Sequence, residues 1–241
     1  MNDPIPTFRS DVDVELVQFT GDDTSLCNAA RVSTLGERAQ GEGCPTKNAG
    51  LINYLMRDKH GSPFEHGSMT FMIKAPIFVF REFQRHRVGW SYNEESGRYR
   101  RLDPVFYIPG PERNLVQVGK PGAYTFQPGS YQQHAAVTGD LKRISIEAYN
   151  TYLRMLEPPF SIAREVARMA LPLNIFSSMY ATCNPRSLMH FLALRTHRPD
   201  ATFVSNPQRE IEMVAEKMED AFKGLYPTTW KAFEENGRVA P

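Results

Sequence analysis

A single α/β domain is the architecture this sequence predicts, and three features predict it. Apolar and polar residues alternate in two short stretches, as they do along half-buried strands. Longer stretches repeat apolar residues at helical spacing. No internal repeat, low-complexity tract or linker divides the 241 residues, which suffice to bury a sizeable core.

In chain order, "VDVELVQF" alternates from Val12 to Leu16 and reads as a strand. "TKNAGLINYLMRDKHGSP" reads as a helix, with Thr46 as a possible cap and Leu51, Ile52, Leu55 and Met56 as its stripe. Arg57, Lys59 and His60 then suit its negative end before Gly61. "SMTFMIKA" alternates again and predicts a second strand. Pro76 fits the first turn of a helix through "IFVFREFQRHR", because its missing N–H would be an orphan there. Residues 88–101, punctuated by Gly89 and Gly97, predict a loop. "GPERNLVQVGKPGAYTFQPGSY" predicts a long surface excursion. Helices are expected over about 134–156, 161–170 and 186–196, and from Pro207 to about Lys223 with Asn206 as its cap.

Composition narrows the function. Hydrophobic content of 41% and charged content of 23% exclude a disordered or collagenous chain. Balance between 28 basic and 27 acidic side chains speaks against a long nucleic-acid partner, which usually needs a basic excess. Cys27, Cys44 and Cys183 make an odd set without C-x-x-C spacing, which fits no disulfide framework or zinc site and suits a reducing, cytoplasmic setting. No stretch reads as a signal peptide or a bilayer span, so no membrane partner is expected.

The chemistry concentrates in arginines. "RHRVGWSYNEESGRYR", residues 85–100, holds four of them among Trp90, Tyr92 and Tyr99. Guanidinium forks match phosphate oxygens, and the Ser96-Gly97 turn could present amides as an anion nest. Glu94 could accept from an imide, a ribose hydroxyl or a neighbouring arginine. In "NPRSLMHFLALRTHR" a helix would place Arg195 at the end of the stripe Leu188, Phe191, Leu192. Arg186 and His190 would lie on the other side. Arg195 either caps its helix or serves a ligand; the spacing leaves both open. Arg164 and Arg168 stand one turn apart, and Glu165 could pair with Arg168 on the surface. His60, Glu65 and His66 have no metal-ligand spacing, so no metal site is expected. G-x-S-x-G and G-x-G-x-x-G are both absent. A single-stranded nucleic-acid module, with the aromatics stacking bases, is the competing class of function.

"RHR" followed by "SYNEESGRY" resembles the signature of the flavin-dependent thymidylate synthases, R-H-R, seven residues, then Ser. "HGSPFEH", "KAPIFVFREFQRHR", "FYIPGPER", "REVARMALPLN" and "NPRSLMHFLALR" are similar to further segments of that family, in its order, over about residues 12–223. The resemblance implies the thymidylate synthase-complementing protein fold, a central sheet flanked by helices, in one domain spanning residues 1–241. It implies a homotetramer with its sites at subunit interfaces. It implies conversion of dUMP to dTMP with tightly bound FAD, NADPH as reductant and methylenetetrahydrofolate as one-carbon donor, without a cysteine nucleophile. A homologue that oxidises NADPH through FAD but no longer methylates is a narrower alternative.

Carried over by position, the family's flavin contacts fall on Ser62, Arg85, His86, Arg87, Glu94, Asn184, Pro185, Arg186 and His190. Its dUMP contacts fall on Glu82, Phe83, Gln84, Arg85, Glu94, Glu95, Ser96, Gly97, Arg98, Arg168 and Arg195. Arg195 is the catalytic residue the resemblance implies, stabilising negative charge on the uracil imide. Ser96 is expected to bind substrate, since no general base stands beside it in the sequence. Eight residues rather than seven separate Arg87 from Ser96, and Gly89 is expected to absorb the extra one. Glu82 and His190 stand where Gln and Asn occur in other members.

Overall fold

The computed structural model of the chain describes residues 4–39, 45–120 and 123–241; Cys44 lies outside them. In chain order the strands and α-helices are β1 (Thr7–Arg9), β2 (Asp13–Thr20), α1 (Asp23–Leu35), α2 (Pro45–Arg57), β3 (Ser68–Pro76), α3 (Ile77–Phe83), β4 (Trp90–Glu94), β5 (Val105–Tyr107), β6 (Asn114–Lys120), β7 (Ala123–Pro128), α4 (Tyr131–Leu156), α5 (Arg164–Ala167), β8 (Phe176–Cys183), α6 (Pro185–Arg195), α7 (Arg209–Leu225) and α8 (Pro227–Glu235). The fold is mixed α/β, as the sequence predicts. Its strands form a four-stranded sheet of order β2-β3-β8-β4 and the pairs β1-β5 and β6-β7. Among the described residues no helix is long and apolar enough to cross a membrane.

By packing, the chain divides into two compact units. The first comprises Met1–Val12, Lys74–Arg81 and Glu94–Ser178; the second comprises Asp13–Ile73, Glu82–Asn93 and Met179–Pro241.

In the first unit, Phe106, Tyr149, Tyr152, Leu153, Ala167 and Ile175 form a buried cluster, with Phe8, Ile77 and Leu171 packed against it. β1 pairs parallel with β5, Phe8 opposite Phe106. α4 starts at a reciprocal cap: Ser130 Oγ accepts from the Gln133 amide, and Gln133 Oε1 accepts from the Ser130 amide.

In the second unit, Leu26, Ile52, Phe71, Val214, Phe222 and Phe233 are fully buried. Asp22 and Ser25 cap α1 reciprocally. The adjacent Asp23 carboxylate serves another helix. It accepts from the amides of Thr228 and Thr229 and from the Thr229 hydroxyl, which satisfies the N-terminus of α8.

Several expectations need correction. α2 runs from Pro45 to Arg57, so Thr46 lies within the helix rather than before it. Pro76 ends β3, and α3 stops at Phe83 rather than running to Arg87. The Arg85 and His86 amides bond to the carbonyls three residues back, Glu82 and Phe83, which tightens the chain out of the helix. The loop expected at 88–101 contains β4, because Trp90 and Tyr92 pack on Phe83. β6 and β7 pair antiparallel within the expected excursion. The helix expected over 161–170 shrinks to α5 and a 3-10 turn at Arg168–Ala170. α7 starts after Gln208 rather than after an Asn206 cap.

Candidate active site

In the second unit the site grows from α6. Asn184 caps it, its Oδ1 accepting from the Ser187 amide at 2.8 Å, and buried Pro185 takes the first helical position. Ser187 was not singled out by the sequence, yet its hydroxyl donates to the Val88 carbonyl at 2.9 Å. That bond anchors the stretch after "RHR" to α6. Gly89 follows with φ of 69°, and a Cβ there would stand 2.1 Å from Ser187 Oγ. Only glycine fits such a position.

Arg195 is the last residue of α6 and its side chain is 17% exposed. It does not simply cap the helix. Its guanidinium pairs with the Glu82 carboxylate, Nη2 lies 3.4 Å from the Glu82 carbonyl, and Nε donates to His86 Nε2 at 3.0 Å. A guanidinium N–H can only donate, so His86 Nε2 is the bare nitrogen and Nδ1 carries the proton. His86 meets the edge of Phe191 at 4.9 Å between centroids, while Phe83 stacks on Phe191 at 4.9 Å. The Phe83 side chain is therefore spent in the aromatic core. Tyr92 Oη reaches the Phe83 and His86 carbonyls, fixing the backbone that carries both.

Burial, with Arg195 and His190 adding, pushes His86 down from 6.5 to about 4. Its neutrality has a measurable consequence. Between pH 6.5 and 4 the unfolded chain takes up a proton that the folded His86 refuses, so this residue withdraws stability as pH falls through that window. The loss expected is up to about 3 kcal/mol. Urea titrations at pH 7 and pH 4.5 should show a smaller acid loss in His86→Gln than in the natural protein. Equal losses would show that His86 is not held neutral.

Arg186 donates to Glu65 Oε1 at 2.5 Å, and its Nε donates to the Pro241 carbonyl at 2.6 Å. Gly61 makes room for this: a Cβ there would stand 2.5 Å from the Arg186 Cζ. Exposed Ser62, next in the chain, opens the 3-10 turn Ser62–Glu65, which α6 packs against. Burial, then Arg186 and Lys59, lower the pKa of His190. Gln84, Arg85 and Arg87 are exposed.

The remaining expected residues gather in the first unit. Glu94 ends β4, and its carboxyl is pushed up by burial and by Glu95, with Ser177, Arg81 and Arg168 offsetting part of the rise. The Glu95 amide bonds to the Ser178 carbonyl. The amides of Arg98, Tyr99 and Arg100 bond back to Ser96, so they are not a free anion nest. Gly97 is buried, and a Cβ there would touch Leu102 and the Arg168 stem at 3.3–3.4 Å. Arg168 is exposed. Glu165 pairs with Arg98 at 3.1 Å, rather than in the expected surface pair with Arg168.

Residues 15–228 match the family model for thymidylate synthase complementing protein. The flavin-dependent thymidylate synthase of Streptomyces avermitilis is 61% identical over 239 residues, covering 98% of this chain and 96% of the relative. That of Tropheryma whipplei is 55% identical over 237 residues, covering 98% of each. Among solved structures, the UMP/dUMP methylase PolB of Streptomyces cacaoi, bound with 5-Br dUMP, superposes with a TM-score of 0.92 at 52% identity. The match covers 98% of this chain and all of that one. These relations, with the mixed α/β fold, mark the chain as an enzyme. It belongs to the flavin-dependent thymidylate synthase family.

Proposed function

We propose that this protein converts dUMP to dTMP, using tightly bound FAD, NADPH as reductant and methylenetetrahydrofolate as one-carbon donor. The observation that carries this reading is the clamp on Arg195, a guanidinium fixed at the end of α6 by Glu82 and a neutral His86. A fixed cation stabilises charge developing on an imide without reorganising during the reaction. It cannot act as a base. Arg195 lies against the uracil, holds negative charge on the imide and so raises electron density at C5. Glu82–Arg85, Glu94–Arg98 and Arg168 bind the rest of the nucleotide, and Ser96 binds rather than attacks.

The residues present suit a flavin nucleotide. Arg85 and Arg87 are exposed cations of the kind a diphosphate group requires, and Arg186, held by Glu65 and the Pro241 carbonyl, supplies a third guanidinium. With these, Ser62, His86, Glu94, Asn184, Pro185 and His190 form the proposed FAD contacts. Bound FAD supplies the hydride. The reaction needs no enzyme thiol. Support comes from Cys27, pushed up to about 11 chiefly by burial, and from buried Cys183, pushed up by desolvation. We further propose that residues 1–241 act as one domain in a cytoplasmic homotetramer whose sites lie between subunits, with neither nucleic acid nor membrane as partner. Exposed Phe160, Val166 and Met169 in the first unit suit subunit packing.

The PolB neighbour is named for UMP as well as dUMP, so UMP is the second substrate to try. The test is tritium release from 5-tritiated dUMP and UMP with FAD, NADPH and methylenetetrahydrofolate. We expect release from dUMP that depends on FAD, and anaerobic bleaching of the flavin by NADPH. A folded protein that binds FAD and oxidises NADPH without tritium release has lost methylation. One that takes neither FAD nor dUMP ends the reading.

A further inference from the structure

Three buried polar residues join the end of α6 to α7 and to the segment after α8, and none belongs to the site proposed above. Thr196 directly follows Arg195 and is 2% exposed. Its hydroxyl donates to the Leu192 carbonyl at 2.7 Å and accepts from Arg238 Nη2 at 2.9 Å. Arg238 Nη1 donates to Glu219 Oε1 at 2.6 Å and also meets Glu234. The other oxygen of Glu219 accepts from Arg198 Nη2 at 2.7 Å. Between them, the His197 amide donates to Glu212 Oε1 on α7 at 2.8 Å. Each of the three residues after Arg195 is thus tied down, Thr196 and Arg198 through Glu219 and His197 through Glu212.

The backbone is bent to make this possible. Gly237 and Arg238 both have positive φ, 69° and 58°, a conformation rare for a residue with a side chain. It turns the Arg238 side chain inward, where only 3% of it is exposed and 7% of its partner Glu219. Burying such an ion pair offers little net stability over apolar packing, so its use lies in fixing a geometry. What it fixes is the point where α6 ends.

We propose that Arg238 and Glu219 position Arg195, acting through Thr196. They are positioning residues, not catalytic ones. The buried ring fixes residues 196–198, so Arg195 keeps its hold on Glu82 and His86 when nucleotide arrives. This rests on the dUMP reading, which the natural protein tests first.

Thr196→Val keeps the shape and removes the hydroxyl. In the FAD-loaded protein we expect kcat/KM for dUMP to fall about tenfold, the scale of one hydrogen bond to a charged group. Flavin content and the KM for NADPH should hold. Thr196→Ser, which keeps the hydroxyl, should restore kcat/KM to within twofold. Should Thr196→Val not fold, Glu219→Gln must show the same selective loss. Unchanged dUMP kinetics, failure of the serine variant to rescue, or flavin content falling in step with turnover would each overturn the proposal. If the natural protein does not turn over dUMP at all, the dUMP reading fails and the proposal with it.

Discussion

Arg195→Ala is expected to keep its flavin and to lose about 10²–10³ in turnover on dUMP, the usual effect of deleting one preorganised charge-stabilising donor. The guanidinium touches Glu82 and His86 and closes no contact in the buried aromatic stack, so truncation should leave Phe83 on Phe191 undisturbed. Glu82, 28% exposed, then loses its cationic partner but keeps access to water. Arg195→Lys should recover little. One ammonium cannot donate to His86 Nε2, the Glu82 carboxylate and an imide in the fixed geometry of a guanidinium. Tritium release from 5-tritiated dUMP and the visible spectrum together decide the matter. A variant within threefold of the natural rate removes Arg195 from the chemistry. A colourless one would show that the residue shapes the flavin site instead.

The sequence announced the kind of chemistry more clearly than its geometry. Arginines on an apolar stripe and in a Ser-Gly turn pointed to an anionic ligand, and α6 runs over nearly the stretch its periodicity predicts. The partner of Arg195 was not legible. Glu82 lies 113 residues away, and no local pattern encodes such a pair. Glu165 shows the reverse error. Helical spacing offers it Arg168, yet it takes Arg98, because α5 is one short turn. β4 was hidden by its composition and its flanks: Ser, Asn and Glu, with Gly89 and Gly97 on either side, read as a loop until Phe83 and Phe191 give Trp90 and Tyr92 something to pack on. α1 carried a readable signal in Asp22 and Ser25, a reciprocal cap followed by Gly36 at the far end. α8 carried only Pro227 at its first position, and the acceptor for its N-terminal amides is Asp23 from α1. A cap supplied by another helix cannot be seen in a local window.

Glu219→Ala is expected to cost about 3–5 kcal/mol of stability. The carboxylate bridges two arginines and accepts from Trp230 Nε1 at 3.3 Å, so its removal leaves three donors short of a partner. Arg198 is one-third exposed and can turn to water. Arg238 cannot. Its side chain is 3% exposed, burial already lowers its pKa, and Glu234 alone must then neutralise it. Glu219→Gln keeps the volume and one acceptor oxygen, so it should lose roughly half as much. Taken with a chain of this length, 3–5 kcal/mol corresponds to a fall in Tm of about 6–20 °C by calorimetry. A fall under 2 °C for Glu219→Ala would mean that Arg238 finds water or another acceptor. In that case the chain beyond α6 is not gripped at Thr196, and the mechanism for positioning Arg195 loses its physical basis.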